Sequence, residues 1–231
     1  MTVLPRFLLE REDLIAVDKP IGALAVPSRL GVADPRPCVL HQLTSHFQAQ
    51  LWPVHRLDEE VSGILVLART AADHRRLCRR FEERMVRKEY EAWTEAPSAA
   101  PPLGDETTWE SRLVRGKRRA FVAPHGKPAL TVASAEGWLR FRGQSVVRWR
   151  LEPRTGRGHQ LRVHLRDHAA PIVGDQLYGG RLPFVDGGIA LRAVRLVIDE
   201  ATVITAPPLA SLVDPSLLEE GAATSHGRAE R

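Results

Sequence analysis

Residues 54–68 have the sequence VHRLDEEVSGILVLA, in which a polar half is followed by an apolar half. The apolar half, Ser62–Ala68, is too short for a typical helix and predicts a buried β-strand. The polar half, with Arg56 and Asp58, then forms a loop at the entrance to that strand, where a rigid scaffold can present reactive side chains. Taken alone, these residues could equally form a surface ion pair worth less than about 1 kcal/mol. The function of the loop therefore has to be decided from the rest of the chain.

The segments around this strand predict further strands. Apolar patterns predict strands at 14–17, 62–68, 88–93, 107–121, 129–138, 145–151, 190–198 and 201–206. The sequence shows no internal repeat and no regular alternation of strands with long helices. The predicted fold class is therefore α+β, with a mainly antiparallel mixed sheet, flanking helices and loops, in one domain at residues 1–220. Residues 221–231 lack apolar periodicity and are predicted to be a disordered tail.

Two helices are predicted beside the sheet. Thr70 and Asp73 have the spacing of a capping box, so that a helix begins after Thr70. One face of this helix is apolar and is predicted to pack inward. That face consists of Leu77, Cys78, Phe81 and Met85. A second, shorter helix is predicted at 159–166, where Leu161 and Leu165 lie one turn apart on the same side.

The composition is that of a globular protein of a reducing compartment. The chain has 231 residues, 43% of them hydrophobic and 26% charged, which is enough for a substantial core. Cys38 and Cys78 are the only cysteines, which excludes a disulfide framework or a thiolate zinc site as the organising element. Charged residues interrupt the N-terminal apolar residues, and all apolar runs are far shorter than the ~20 residues that a membrane span needs. We therefore expect a soluble, cytoplasmic protein with no membrane partner.

The basic residues are unevenly distributed along the chain. The formal net charge is only +5, but residues 111–166 contain fourteen lysines and arginines against two acidic residues, Glu136 and Glu152. A polyanion is the expected partner, because each neutralised phosphate releases counterions and because arginine forks bind phosphates through two hydrogen bonds. The alternative is a solvated basic face without a partner.

Several common types of site have little support in the sequence. His164 and His168 have the i, i+4 spacing of metal ligands on a helix, but no third ligand accompanies them, so no metal is expected. The glycines build neither a Walker loop nor a GxGxxG fingerprint, so no nucleotide cofactor is implied. Ser62 precedes a glycine but does not lie in a G-x-S-x-G elbow, which leaves a serine hydrolase without support.

A series of motifs along the chain matches one protein family. The matching segments are 14–22 (LIAVDKPIG), 54–68, 87–90 (RKEY), 151–165 (LEPRTGRGHQLRVHL), 171–179 (PIVGDQLYG) and 191–193 (LRA). In the same order they resemble the motifs NKPxG, HRLDxxTSGLLLLA, KxY, TGRxHQIRVHL, HPIxGDxLYG and LHA. On these motifs the chain resembles the RluA-type pseudouridine synthases. The resemblance implies the catalytic fold of that family, with a central RNA-binding cleft.

The resemblance also implies a reaction, the isomerisation of uridine within RNA, which needs no redox cofactor and no metal. Asp58 is implied as the nucleophile, attacking ribose C1′ or uracil C6, or else removing a sugar proton on a glycal route. Arg162 matches the guanidinium that keeps this carboxylate ionised and oriented, and an arginine fork can bind a carboxylate through two hydrogen bonds. Tyr90 would lie against the base and offer a route for the C5 proton.

The target base must leave the RNA stack before it can react, which costs a few kcal/mol. Arg56 matches the family's arginine that stacks into the vacated space, and His55 either contacts phosphate or packs under the loop. The residues implied in RNA binding and base flipping are Arg56, His55, Arg154, Arg157 and His159. The residues implied in the pocket wall are Ile64, Leu161 and Leu191.

The chain departs from the family pattern at four positions. Val61 replaces the usual Thr, Gly158 replaces a Thr or Ser, Ala170 replaces a His and Arg192 replaces a His. None of these departures removes an acid, an aromatic residue or an arginine that is expected to act directly. They are expected to alter the shape of the pocket, and with it the choice of uridine, more than the chemistry.

The local sequence at 24–30 and the overall length are most similar to the subgroup that modifies 23S ribosomal RNA and a tRNA anticodon stem-loop. The expected partner is therefore a stem-loop uridine in rRNA, tRNA or both. No room is expected before Leu14 for an S4-type RNA-binding domain, and a monomer is expected. Two alternatives stay open: a catalytically inactive RNA-binding module with the same fold, and a metal-dependent nuclease that uses Asp58 with Glu59, Glu60 and histidines.

Overall fold

The computed structural model describes residues 4–220, which form three α-helices and twelve β-strands. The helices are α1 (Val39–Phe47), α2 (Ala71–Glu82) and α3 (Gln160–His168). The strands are β1 (Arg6–Glu10), β2 (Leu14–Lys19), β3 (Trp52–Pro53), β4 (Ser62–Ala68), β5 (Arg87–Glu95), β6 (Glu106–Arg115), β7 (Ala120–Val122), β8 (Lys127–Phe141), β9 (Gln144–Pro153), β10 (Leu191–Asp199), β11 (Thr202–Thr205) and β12 (Leu218–Glu220). No helix within residues 4–220 is long and apolar enough to cross a membrane. The predicted tail at 221–231 lies outside the described residues, and the single domain stays a prediction.

All of these strands belong to one open sheet. Its main path has the order β1-β2-β4-β10-β5-β9-β8-β6-β7, with β3 beside β4, β11 beside β10 and β12 beside β8. Among the strand pairs in residues 4–220, only β4 and β10 are parallel, where Ser62 and Gly63 face Arg192 and Ala193. The predicted α+β class with a mainly antiparallel mixed sheet is therefore confirmed.

Strand β4 is buried along its whole length, because apolar layers cover both of its faces. Ile64 and Val66 belong to the main core, whereas Leu65 and Leu67 belong to a second apolar cluster that α1 closes. The sequence predicted this strand correctly but not α1. The N-cap residue of α1, Cys38, makes no side-chain capping hydrogen bond, so the usual sequence signal for a helix start is missing.

Helix α2 begins as the sequence predicted. The hydroxyl oxygen of Thr70 accepts a hydrogen bond from the N–H of Asp73 (3.1 Å), and Leu77 is fully buried. The predicted inward position of Met85 is wrong, because its side chain is 52% exposed. The helix ends at Glu82, and Arg84 adopts a left-handed conformation (φ 59°) that turns the chain away from the helical path before Met85.

The strand that the sequence predicted at 107–121 is in fact a hairpin of two strands, β6 and β7. They are joined by a turn in which the N–H of Gly116 donates to the carbonyl oxygen of Arg119 (2.9 Å). The other predicted strands and the short helix at 159–166 coincide with β2, β4, β5, β8 to β11 and α3 to within a few residues. The sequence did not predict the short or peripheral strands β1, β3 and β12.

Gly63 allows β4 to approach β10 closely, directly after the loop that carries Asp58. Its φ of +107° lies in a region that side chains disfavour. A Cβ atom at this position would lie 2.2 Å from the carbonyl oxygen of Ala193 and 2.6 Å from its nitrogen. Glycine therefore satisfies both the backbone conformation and the contact between the two parallel strands.

We expect Gly63→Ala to lower the free energy of unfolding by about 2–5 kcal/mol, because it adds backbone strain and a collision with β10. Urea denaturation would measure the loss. Gly104→Ala is the matched control, since Gly104 also has a positive φ (+81°) but no atom lies within 4 Å of its Cβ position. This control should lose about 1–2 kcal/mol, from backbone strain alone. Equal losses for the two variants would contradict the close approach of β4 to β10.

Candidate active site

The loop at residues 54–61 is held by backbone hydrogen bonds to segments that are distant in the sequence. The N–H of Gly22 donates to the carbonyl oxygen of Glu59 (3.0 Å), and the N–H of Ile189 donates to that of Glu60 (3.1 Å). These two bonds fix the backbone next to Asp58 from two sides. The loop is therefore a rigid support for a reactive side chain.

Lys19 adds a third link to this loop. Its side chain is fully buried, and Nζ donates hydrogen bonds to three carbonyl oxygens, those of Pro20 (3.0 Å), Ala23 (2.7 Å) and Glu59 (3.1 Å). Burial lowers the pKa of Lys19 to about 8, and the negative charges of Asp58 and its neighbours partly oppose this shift. The ammonium group therefore ties the turn after β2 to the loop that carries Asp58.

His55 packs underneath the loop. Its ring stacks on that of Phe81 with centroids 5.1 Å apart, and Nε2 accepts a hydrogen bond from the N–H of Val66 (3.1 Å). Burial, together with the charge of Lys88, lowers the pKa of His55 to about 3. The neutral ring therefore remains an acceptor at neutral pH. Of the two roles that the sequence left open for His55, these contacts support packing.

Asp58 lies in a cleft, and its side chain is 32% exposed. Its Oδ2 atom lies 3.8 Å from Nη1 of Arg162 and 3.7 Å from Nε2 of His159. The fold thus brings Asp58 together with two residues that are about a hundred positions away in the sequence. The carboxylate is accessible from the cleft and is backed by nitrogen groups on its inner side.

Arg162 is a buried residue of α3 whose side chain is only 2% exposed. The prediction that the Arg162 fork binds Asp58 through two hydrogen bonds is wrong, because the fork binds Asp175. Nε donates to Oδ2 of Asp175 and Nη2 donates to Oδ1, each over 2.7 Å. The third nitrogen, Nη1, donates a hydrogen bond to Oε1 of Glu60 (3.4 Å) and lies 3.8 Å from Oδ2 of Asp58. The guanidinium also lies over the ring of Tyr178 (5.2 Å). Asp175 therefore fixes the orientation of the Arg162 guanidinium, with Nη1 turned toward Asp58.

His159 lies behind Asp58, at the start of α3. Its Nδ1 atom is hydrogen-bonded to the hydroxyl of Tyr178 (2.8 Å), which turns Nε2 toward Asp58. Burial lowers the pKa of His159, although the charge of Asp58 opposes this shift. Its side chain is only 7% exposed and lies 3.7 Å from Asp58, and His159 also lines the cleft, so the RNA contact that the sequence implied stays a prediction.

Asp175 and Tyr178 were not predicted to be site residues, although both lie in the motif at 171–179. Their side chains are buried and hold Arg162 and His159, rather than facing the cleft. The available signal was an acid and an aromatic residue within a motif, but a motif does not show which side chains they contact. Their role became visible only from the distances.

Tyr90 stands on β5 and lines the same cleft as Asp58. Burial raises the pKa of its hydroxyl above the usual value, and the negative charge of Asp58 adds to the shift. The phenol is therefore protonated at neutral pH. Its ring offers an aromatic surface, and its hydroxyl a hydrogen-bond donor, beside the carboxylate.

The cleft has a volume of about 910 Å³ and a basic lining. Eight lysines and arginines line it against three acidic residues. The basic residues are Arg56, Arg84, Arg87, Lys88, Arg115, Arg154, Arg157 and Arg162. Leu161 and Leu191 also line the cleft, as the sequence implied. The implied place of Ile64 in the pocket wall is wrong, because its side chain is fully buried in the main core between β4 and its neighbours.

Only two of the four departures from the family pattern lie in the cleft. Val61 and Gly158 line it, whereas Ala170 is buried elsewhere. Arg192 is also buried, and its Nη2 atom donates to Oδ2 of Asp18 (2.6 Å). Of the four departures, only those at positions 61 and 158 can therefore alter the shape of the pocket directly.

The histidine pair on α3 makes other contacts. His164 is hydrogen-bonded to Thr131 through Nδ1 (2.9 Å) and to Ser111 through Nε2 (2.8 Å), and His168 stacks on Trp109. Burial lowers the pKa of His164 to about 4. Within residues 4–220, no three His, Cys, Asp or Glu side chains are grouped so that they could hold a metal ion.

The sheet and the cleft together define a class of protein: an α+β protein with an accessible carboxylate in a basic cleft that suits a polyanion. A model of the RNA pseudouridylate synthase family matches residues 13–167, and the chain belongs to this family. This match confirms the resemblance inferred from the motifs.

Relatives and solved structures agree with this assignment. The chain is 36% identical over 178 residues to ribosomal large subunit pseudouridine synthase D of Yersinia pestis, covering 74% of this chain and 52% of the relative. It is 32% identical over 227 residues to an uncharacterized RNA pseudouridine synthase of Synechocystis sp., covering 89% and 74%. The structure of human RNA pseudouridylate synthase domain containing 1 has the same fold, with a TM-score of 0.72, 24% identity and coverage of 96% and 91%. The chain spans about half the length of the synthase D relatives that it matches.

Proposed function

We propose that the protein isomerises uridine to pseudouridine in structured RNA, with Asp58 as the catalytic nucleophile. The observation that carries the proposal is the accessible Asp58 carboxylate, which lies in a basic cleft with the buried Arg162 guanidinium 3.8 Å away. Membership of the RNA pseudouridylate synthase family supports the same reaction. The alternative of an RNA-binding module without activity is the contrary outcome of the experiment below.

The reaction breaks the bond between uracil N1 and ribose C1′, turns the uracil and joins its C5 atom to C1′. The proton on C5 passes to water, and N1 takes up a proton in its place. No oxidant or reductant is needed for this balance. Asp58 attacks C1′ or C6, or removes a sugar proton on a glycal route. Arg162 holds one N–H edge toward Asp58, and Tyr90 stacks on the base and relays the C5 proton through its hydroxyl.

A uridine has to leave its RNA helix to reach Asp58. The cleft, at about 910 Å³, has room for an extruded nucleotide. Arg56 is exposed, lines the cleft and precedes Asp58 by two residues. Its planar guanidinium is therefore placed to stack into the gap that the base leaves. Arg154 and Arg157, which also line the cleft, bind the flanking backbone.

The proposed substrate class is ribosomal RNA, because the synthase D relatives carry ribosomal large subunit in their names. A tRNA stem-loop is a second substrate that rests on the local sequence at 24–30. The protein acts as a monomer in the cytoplasm, a location that the free thiols of Cys38 and Cys78 support.

The test is tritium release from RNA transcripts labelled with [5-³H]uridine, because the C5 hydrogen leaves when pseudouridine forms. Large-subunit rRNA, small-subunit rRNA and pooled tRNA would be incubated separately with the purified chain, and gel electrophoresis would show whether the RNA stays intact. We expect release from large-subunit rRNA without cleavage. The absence of release from all three RNA classes would overturn the proposed function, and RNA cleavage would favour a nuclease.

A further inference from the structure

Arg115 reaches the cleft from a different part of the sheet than the other residues around Asp58. It is the last residue of β6, at the tip of the β6–β7 hairpin, and its side chain lines the cleft beside Gly158. A Cβ atom on Gly158 would lie 3.4 Å from Cδ of Arg115 and 3.7 Å from its Nε. The Arg115 side chain therefore lies over the bare backbone at Gly158, at a distance that a Cβ atom could fill as an ordinary contact. The γ atoms of a larger side chain would compete with Arg115 for space.

The charge of Arg115 is not neutralised within the protein. Its guanidinium donates one long hydrogen bond, from Nη1 to the carbonyl oxygen of Arg118 (3.3 Å), and forms no ion pair within residues 4–220. Two other cleft arginines are neutralised, since Arg154 pairs with Glu152 (3.0 Å) and Arg162 with Asp175 (2.7 Å). Arg115 therefore keeps donors that can bind an anionic ligand.

Arg115 lines the same cleft as Asp58, where the nucleotide would react. Its charge contributes to the lowered pKa of His159, the residue that lies against Asp58. An arginine fork with unused donors suits a phosphate, whose oxygens accept two parallel hydrogen bonds. An RNA strand that delivers a nucleotide to Asp58 carries phosphates on both sides of that nucleotide.

We propose that Arg115 binds a backbone phosphate next to the nucleotide at Asp58, and that the missing side chain at Gly158 gives its guanidinium the room to do so. The inference rests on the proposed function, since it assumes an RNA strand in the cleft. It assigns Arg115 to substrate binding and Gly158 to the positioning of Arg115.

The first test compares Arg115→Ala with Arg112→Ala. Arg112 is exposed on the same strand, but its odd spacing from Arg115 places it on the opposite face of β6, and it does not line the cleft. Both variants lose one charge. We expect Arg115→Ala to raise KM and the Kd for RNA about 10-fold, the loss of one charge-assisted contact. Its kcat should change by less than about 2-fold. The plot of log affinity against log salt concentration should become less steep by about one unit of slope.

The second test places Gly158→Thr in two backgrounds, because the threonine would occupy the space of Arg115. We expect Gly158→Thr to raise KM about 10-fold in the wild-type protein and to have no further effect in Arg115→Ala. Melting temperatures would show that each variant is folded. If the wild-type protein is active, three results would overturn the inference. They are an unchanged KM in Arg115→Ala, an equal effect of Arg112→Ala, and additive effects of Gly158→Thr and Arg115→Ala. An inactive wild-type protein would instead overturn the proposed function.

Discussion

Asp58→Asn is expected to reduce pseudouridine formation by at least about 1000-fold, the scale of loss when a directly acting group is removed. Asparagine keeps the size and shape of the side chain but cannot act as a nucleophilic carboxylate. The side chain of Asp58 is 32% exposed and lies 3.8 Å from Arg162, so it contributes little to stability. Tritium release under single-turnover conditions, with RNA affinity and melting temperature measured in parallel, would check this result.

Glu59→Gln is the matched control for Asp58→Asn. It removes a carboxylate from the neighbouring position of the same loop, where the side chain pairs with Arg36 and does not line the cleft. We expect this variant to keep activity within about 3-fold, because the change is confined to an exposed ion pair. Substantial tritium release by Asp58→Asn would contradict the assignment of Asp58 as nucleophile, and an equal loss in both variants would indicate a general effect of loop charge.

Arg162→Lys is expected to lower kcat by about 100-fold or more while KM for RNA changes little. The guanidinium uses two nitrogens for Asp175 and a third toward Asp58 and Glu60. An ammonium group cannot serve both sides of this arrangement, so either the contact with Asp175 or the one with Asp58 is lost. The decisive measurement is kcat per folded active site, because partial unfolding alone would also lower the apparent kcat at an unchanged KM.

Arg166→Lys provides the control for Arg162→Lys on the same helix. Arg166 also lies over the ring of Tyr178 (5.5 Å), but it pairs with the partly exposed Asp167 and does not line the cleft. We expect near wild-type kcat in this variant. Active-site titration with RNA would correct both variants for any unfolded protein. A kcat for Arg162→Lys within about 3-fold of the wild type would contradict its role in positioning Asp58.

Much of the local structure could be predicted because the relevant interactions lie within one segment. The run Ser62–Ala68 forms a buried strand, and Thr70 caps the helix that follows it. The prediction for Met85 was wrong because helical spacing continues in the sequence beyond the point where Arg84 leaves the helix. Helix α1 was missed because its burial depends on a second apolar cluster, which exists only once β2 and β4 are paired.

The sequence predicted the main residues of the site but not all of their contacts. The motifs singled out Asp58, Tyr90 and Arg162, but the acid that binds the Arg162 fork is Asp175. Nothing in the sequence indicated that His159 lies 3.7 Å from Asp58. The resemblance placed Ile64 in the pocket wall, yet its position in β4 directs its side chain into the main core.

The sequence by itself determined the α+β class, most of the strands, the capped helix and the family, because hydrophobic periodicity, capping residues and motifs are properties of short segments. Only the tertiary structure decided that Gly63 touches Ala193, that Asp175 rather than Asp58 receives the Arg162 fork, and that Arg115 enters the cleft over Gly158. Contacts of this kind join residues 13 to 130 positions apart, so they depend on how the strands of the sheet and the helices pack together.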